Sequence, residues 1–344
     1  MASETCLVAM SGGVDSSAAL HLLHQQGYEC TGCMMLLTDG ADPTDARAAA
    51  ERAGIPFFAP DLRQEFRQSV ITPFCEEYLA GRTPNPCIFC NRSMKFGTLL
   101  DLADVHGCRY LATGHYARIS FDAGSGRRLL RKAADESKDQ SYVLYTLTQA
   151  QLARVLFPLG GLTKADARAA AAEAGFANAQ KKDSQDICFV PDGDYAAFLT
   201  RFTGRMLPMG NFLDEAGRVL GRHRGILHYT VGQRRGMGIA AEYPLYVVKI
   251  DPENNAVTLG KNESLFSKEL TAHSVNLIAM DSVSGALRCT AKIRYRHREQ
   301  PCTVWQTAPD TLRVEFDEPQ RAITSGQSVV LYDGDTVLGG GIID

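Results

Sequence analysis

The chain has 344 residues, and a prior of roughly 150 residues per domain predicts two or three domains. Thirty-six Lys and Arg against 39 Asp and Glu leave a formal charge of −3, and 45% of the residues are hydrophobic, which excludes both a disordered chain and a histone-like polycation. No apolar stretch approaches the ~18 residues that cross a bilayer, and no basic segment precedes a hydrophobic run at the start, so a cytoplasmic protein with no membrane partner is expected.

The first third alternates strand with helix. Cys6–Met10 reads as a strand, Ser16–Gln26 as a helix closed by Gly27, Cys30–Leu37 as a strand and Thr44–Ala53 as a helix ending at Gly54. A helix over Lys95–His106 leads into a strand at Tyr110–Thr113, and Ala150–Ala177 reads as helical. This alternation predicts an α/β doubly wound parallel sheet, whose ligands sit at the carboxyl ends of the strands. Asp122–Arg128 reads as an exposed hairpin turn. Beyond about residue 200 the texture changes to short β-like segments: Gly217–Gly221, Tyr243–Asp251 and Ala256–Gly260, then Cys289–Tyr295, Thr303–Gln306, Thr311–Phe316, Ser328–Tyr332 and Thr336–Ile343. Two small β-rich modules are expected, the last a β-barrel, giving units 1–200, 201–265 and 266–344. Five arginines with no acid between Arg218 and Gly236, and five basic residues against Glu299 between Arg288 and Gln300, suit a phosphate backbone or two solvated basic faces.

Ser11-Gly12-Gly13-Val14-Asp15-Ser16-Ser17 follows the first strand and opens a helix. Adjacent glycines allow a tight turn with exposed N–H groups, the serines add donors, and the helix start favours an anion. Neither the GxxxxGK(S/T) nor the GxGxxG pattern is present. A carboxylate beside a phosphate is costly without a cation between them, so Asp15 is a candidate for holding Mg²⁺. The loop resembles the PP-loop of the ATP pyrophosphatase superfamily, an adenine nucleotide alpha hydrolase-like fold, whose members split ATP between the α and β phosphates and place AMP on a substrate oxygen.

The candidate nucleophiles are sulfur. Thr83-Pro84-Asn85-Pro86-Cys87-Ile88-Phe89-Cys90-Asn91 holds a CxxC between prolines, which suits a rigid loop presenting thiols, and Asp183-Ser184-Gln185-Asp186-Ile187-Cys188-Phe189 offers a third cysteine. Read generically, the CxxC is a zinc half-site, a redox pair, iron–sulfur ligands or two core thiols. The other seven cysteines, at 6, 30, 33, 75, 108, 289 and 302, are assigned to packing.

With Ala112-Thr113-Gly114-His115-Tyr116-Ala117-Arg118, Lys138-Asp139-Gln140-Ser141-Tyr142, His228-Tyr229-Thr230-Val231-Gly232-Gln233-Arg234 and Leu338-Gly339-Gly340-Gly341, these motifs run in order over nearly the whole chain. Together they resemble the tRNA-specific 2-thiouridylase (tRNA-uridine 2-sulfurtransferase) family. That resemblance implies ATP-dependent 2-thiolation of the wobble uridine, position 34, of certain tRNAs. It implies Cys90 as nucleophile, Cys188 as persulfide carrier and Asp15 as a catalytic carboxylate. ATP would meet Ala9, Met10, Ser11, Gly12, Gly13, Val14, Asp15, Ser16, Met35 and Gly114. The tRNA would meet Asn85, Pro86 and Cys87 at the target base, then His115, Lys138, Asp139, Gln140, Arg294, Tyr295 and Gln327. Expected cofactors are ATP and Mg²⁺, and the expected protein partner is a sulfur donor such as a cysteine desulfurase or relay carrier. Many family members have Asp at the place of Cys87, which leaves its thiol a bystander, a spare sulfur acceptor or, with Cys90 and Cys188, a ligand of a four-iron four-sulfur (4Fe-4S) cluster. Two competing readings are a PP-loop adenylating enzyme with a nitrogen nucleophile and a non-catalytic tRNA-binding or iron–sulfur carrier.

Overall fold

A computed structural model describes residues 3–176, 187–205 and 208–344. The chain begins with β1 (Thr5–Ala9), α1 (Val14–Gln25), β2 (Glu29–Cys33), α2 (Thr44–Ala53) and β3 (Phe57–Phe58). A helical stretch follows: α3 (Arg63–Phe66), a π-helical turn, α4 (Thr72–Leu79), α5 (Pro86–Cys90), a second π-helical turn over Asn91–Thr98, and α6 (Leu99–Val105). Then come β4 (Tyr110–Ala112), β5 (Arg118–Asp122), β6 (Arg127–Arg131), α7 (Gln149–Leu152), β7 (Val155–Leu156), α8 (Lys164–Glu173) and α9 (Tyr195–Thr203). Strands β3-β2-β1-β4-β7 form one parallel sheet in that order, so the chain reverses its direction of travel across the sheet between β1 and β4.

Strand alternation loads both faces. Cys6 and Val8 of β1 pack with Ala18 and Leu20 of α1 and Ala167 and Ala171 of α8, while Leu7 packs with Phe96 and Leu99 on the other face. Small alanines on α2 and α8 let those helices lie close to α1 and the sheet. No helix among the described residues is long and apolar enough to cross a membrane.

A four-stranded sheet follows, built from β8 (Gly210–Leu213), β9 (Val219–His223), β10 (Tyr246–Asp251) and β11 (Ala256–Gly260) in the order β10-β11-β8-β9. Phe212, Tyr229, Val247 and Val257 fill its core. The last six strands are β12 (Phe266–Leu277), β13 (Leu287–Lys292), β14 (Gln300–Ala308), β15 (Thr311–Arg321), β16 (Ser328–Asp333) and β17 (Thr336–Ile343). Their order β12-β15-β14-β13-β16-β17 closes through pairing of β12 with β17, which leaves the barrel no free edge.

Three local readings change. The hairpin around Asp122–Arg128 is more than a surface turn: β6 pairs with β17 at Arg131 and Thr336, so β5–β6 extends the barrel sheet with strands from the first third of the chain. The stretch 150–177 is broken by β7, because Phe157-Pro158 and Gly160-Gly161 cannot sustain a helix and Val155-Leu156 complete the parallel sheet beside β4. The CxxC sits on a helix, not a loop. Pro86 occupies the first helical position, where its missing N–H is harmless, and Asn85 caps the turn by accepting from the Cys87 N–H at 3.1 Å.

Candidate active site

The loop after β1 forms a donor-lined turn at the carboxyl edge of the sheet. Gly12 takes φ +70°, open to glycine at no cost, and Ser16 Oγ donates to Gly13 O at 3.0 Å while accepting from Ser11 N at 3.2 Å. Ala9 ends β1, Met35 lies just past β2 and Gly114 just past β4, so the ten residues expected to meet ATP lie along one edge, beside the crevice between β1 and β4. A Cβ at Gly114 would stand 2.9 Å from Asp15 C and 3.0 Å from Ser16 N, which ties glycine to this close approach. Asp15 Oδ1 accepts from Tyr116 Oη at 2.8 Å, and Lys164 Nζ reaches both carboxylate oxygens at 2.7 and 2.8 Å.

Cys87 and Cys90 are three residues apart on one helical turn and so share a face. Cys188 is carried to them by its neighbours. Phe189 inserts between Phe66, Phe74 and Phe198 at ring distances of 5.7, 5.3 and 5.2 Å, in the cluster that also takes Cys90, Ile187 and Met35. Residues Asp183–Asp186 of the same motif lie outside the described residues. Cys87 and Cys188 reach solvent, yet protein crowds them enough that desolvation raises both thiols. Burial, then the neighbouring Cys90 and Cys87, push Cys188 up to about 11, and the Lys95 ammonium pulls the other way. Lys95 has the same lowering effect on Cys87 and on Cys90, both raised chiefly by burial. The ten cysteines carry no disulfide. Cys30 and Cys33 have the same spacing as the CxxC, but on a strand it puts the thiols on opposite faces, one in each core cluster.

Lys95, Tyr116 and Lys164 are site residues that the sequence reading missed. Lys95 Nζ stands 3.3 Å from His115 Nε2, and His115 Nδ1 2.7 Å from Thr113 Oγ1. An ammonium only donates, so Nε2 accepts and Nδ1 carries the hydrogen toward Thr113. Burial, helped by Lys95, holds the His115 pKa well below the ordinary histidine value. Consecutive residues at the end of β4 thus touch both halves of the site: Gly114 the nucleotide loop, His115 the lysine of the cysteine helix.

The residues expected to contact tRNA divide. Tyr295 is exposed, its ring 6.0 Å from Tyr142, and its hydroxyl is raised first by burial and then by Asp139 and Cys87. Asp139 is internal: it accepts from Ala133 N at 3.0 Å and Ser141 Oγ at 2.7 Å, and faces Lys292 at 3.8 Å. Gln140 exchanges hydrogen bonds with the Tyr116 backbone, Gln327 donates to Thr83 O at 2.6 Å, and Arg294 donates to Arg321 O at 3.2 Å. His115 is 7% exposed, with both ring nitrogens occupied. Lys138 lies in the half-buried turn before Asp139.

One loop carboxylate suits Mg²⁺ arriving with a triphosphate, because that ion takes one or two protein carboxylates and phosphate oxygens for the rest. Among the described residues no three His, Cys, Asp or Glu side chains are arranged to hold a metal.

Three family models match in succession: tRNA methyl transferase HUP domain over residues 4–192, tRNA methyl transferase PRC-barrel domain over 196–261 and Aminomethyltransferase beta-barrel domain over 267–343. The tRNA-specific 2-thiouridylase MnmA of Clostridioides difficile is 48% identical over 99% of this chain and 98% of its own length. That of Syntrophotalea carbinolica is 50% identical over 98% and 97%. A solved 4-thiouridine synthetase–RNA complex with bound ATP is similar over 58% of this chain and 50% of that one, at 17% identity and a TM-score of 0.40. Near-half identity along the full length of such relatives makes the chain a member of the tRNA-specific 2-thiouridylase family.

Proposed function

We propose that this protein replaces O2 of the wobble uridine, position 34, of tRNA with sulfur at the expense of ATP. The observation that carries the reading is the end of β4, where Gly114 abuts the nucleotide loop and His115 meets the lysine whose charge reaches Cys87, Cys90 and Cys188. An activating nucleotide and a sulfur nucleophile belong at one crevice because the carbonyl oxygen of a pyrimidine ring is a poor leaving group until it carries AMP.

In this reading ATP lies along Ala9–Ser16, and the uridine leaves the anticodon stack to rest near Asn85-Pro86, a step costing only a few kcal/mol for an unpaired base. Uracil O2 bonds to the α-phosphorus as the α–β bridging bond breaks, and pyrophosphate departs with its electron pair. Cys188 carries a persulfide loaded by a sulfur-donor protein. The Cys90 thiolate attacks the Cys188 sulfur, forming a Cys90–Cys188 disulfide and releasing hydrosulfide. Hydrosulfide adds to C2, AMP leaves, and loss of a proton yields the thiocarbonyl. Two thiols are thus oxidised as one sulfane sulfur is reduced, and an external thiol reductant resets the pair. Mg²⁺ would screen the phosphates from Asp15. Tyr295 supports this reading as an exposed ring suited to stacking a splayed base. The units 1–200, 201–265 and 266–344 would be a catalytic domain that binds ATP, a tRNA-binding domain and a C-terminal β-barrel.

The test is nucleoside mass spectrometry of unmodified tRNA after incubation with the protein, Mg-ATP and a sulfide source. A 2-thiouridine product absent without ATP is expected; an amino-substituted nucleoside formed when ammonia replaces sulfide would point to the nitrogen-transfer alternative.

A further inference from the structure

The chain enters the cysteine helix α5 through a short segment that distant parts of the molecule grip. α4 ends at Gly81, whose φ of +75° lets Arg82 N bond back to Glu77 O at 2.9 Å, and the Arg82 side chain forks onto the Glu77 carboxylate at 2.5 and 2.6 Å. A Cβ on Gly81 would stand 3.1 Å from Pro252 Cδ, just past β10. Thr83 then gives both main-chain groups to the C-terminal barrel. Its N–H donates to Ser325 O at 2.9 Å, and its carbonyl accepts from Gln327 Nε2 at 2.6 Å. Pro84 and Pro86 have no N–H, which leaves few main-chain donors to anchor the approach to Cys87.

The barrel loop that makes these bonds is itself fixed. Gly326 N donates to Ile343 O at 2.9 Å and Ile343 N to Gln327 O at 2.8 Å, which ties the loop to β17. The far end of the cysteine helix reaches the same barrel segment. Asn91, 1% exposed, donates through Nδ2 to Val143 O at 2.8 Å. Two residues close to Val143 in turn meet Ser328: Tyr142 Oη donates to its carbonyl at 2.8 Å, and Tyr145 Oη lies 3.0 Å from its Oγ. Barrel residues 325–328 therefore hold the helix of Cys87 and Cys90 at both of its ends.

Resting on the sulfur-transfer reading above for the roles of Cys90 and Cys188, we propose that Gln327 is a positioning residue for the cysteine helix. Its side-chain amide fixes the Thr83 carbonyl, hence where α5 begins and where the Cys90 sulfur stands. It touches no reacting atom. Cys188 is seated separately, through Phe189 in its aromatic pocket, so a shift of α5 changes the approach of the two sulfurs. A misplacement of about 1 Å is enough to cost on the order of a hundredfold in rate. Glutamate has the shape of glutamine, but a carboxylate only accepts, so Gln327→Glu sets two acceptors against each other at Thr83.

Diamide oxidation of the full chain, without tRNA or ATP, tests this. The Cys90 and Cys188 thiols lose two electrons and two protons to the diazene, which becomes a hydrazine, and peptide mass spectrometry follows the disulfide. Gln327→Glu forms it about tenfold more slowly than the parent. Hydrogen exchange quickens in peptides covering 83–91, and thiolation loses kcat while the KM for tRNA is unchanged. Fluorescent-nucleotide affinity stays at the parent value, which marks an intact fold. An unchanged disulfide rate with a raised KM for tRNA overturns the proposal and makes Gln327 an RNA contact. Unchanged exchange over 83–91 overturns it too, as does a loss of nucleotide affinity in step with the rate. A parent protein that forms no Cys90–Cys188 disulfide would sink the sulfur-transfer reading instead, and the exchange comparison still decides whether Gln327 holds the helix.

Discussion

His115 Nε2 lies 3.3 Å from Lys95 Nζ, and this contact aligns an ammonium whose field reaches Cys87, Cys90 and Cys188. The imidazole, buried between Phe96 and Phe157, serves as a fixed acceptor. Any effect of His115 on tRNA thiolation is therefore expected to pass largely through the thiols.

That arrangement sets the pH response of the sulfur carrier. With Cys188 raised to about 11, its thiolate fraction climbs roughly tenfold per pH unit from neutrality toward that value. Alkylation of Cys188 by iodoacetamide, followed by peptide mass spectrometry, should show that slope. Lys95→Met removes the lowering charge and should slow alkylation at every pH below 11; an unchanged profile would separate Lys95 from the thiols.

The two halves of the reaction should come apart in Cys188→Ala. This variant is expected to release pyrophosphate in the presence of tRNA while making no thiolated nucleoside. Cys87→Asp should keep thiolation within a few-fold, because among the described residues no metal-holding group includes Cys87. Loss of product in Cys87→Asp would give the first thiol of the CxxC a chemical role.

Gly114→Ala should weaken ATP binding by about tenfold or more, or ~1.4 kcal/mol, with the fold retained. The added methyl would press on Asp15 C and Ser16 N, backbone atoms that give only if the loop moves. Fluorescent-nucleotide titration checks affinity, and circular dichroism checks the fold.

Asp139→Ala should destabilise the protein by about 3 kcal/mol, since it strips internal donors of their acceptor and leaves Lys292 with Glu299 alone. A urea midpoint equal to the parent's would return Asp139 to a surface role in RNA contact.

His297 adds a signed acid sensitivity. Burial, with Arg294 and Lys292 nearby, lowers its pKa from 6.5 to about 4. A depressed histidine stabilises the fold above its unfolded value, and that contribution is lost as pH falls from 6.5 through 4. His297→Gln should therefore lose less stability than the parent across that window in parallel urea titrations.

Periodicity, glycine placement and local motifs determined much of this protein. The β1 loop and the helix that follows it, the parallel sheet and the later β-rich units are local patterns, readable because strand alternation and helix stops act over a few residues. Cys188 could be singled out by its motif, but its approach to Cys90 depends on Phe189 finding a pocket made by residues from 66 to 198. The β5–β6 hairpin carried no sign that it would pair with a strand some 200 residues later. Tertiary structure alone decided that Lys164 meets Asp15 and Lys95 meets His115, and that Asp139 and Gln327 turn inward. A long side chain's charge has no sequence period; its partner is whatever folding brings within about 3 Å, where pairing offsets the cost of leaving water.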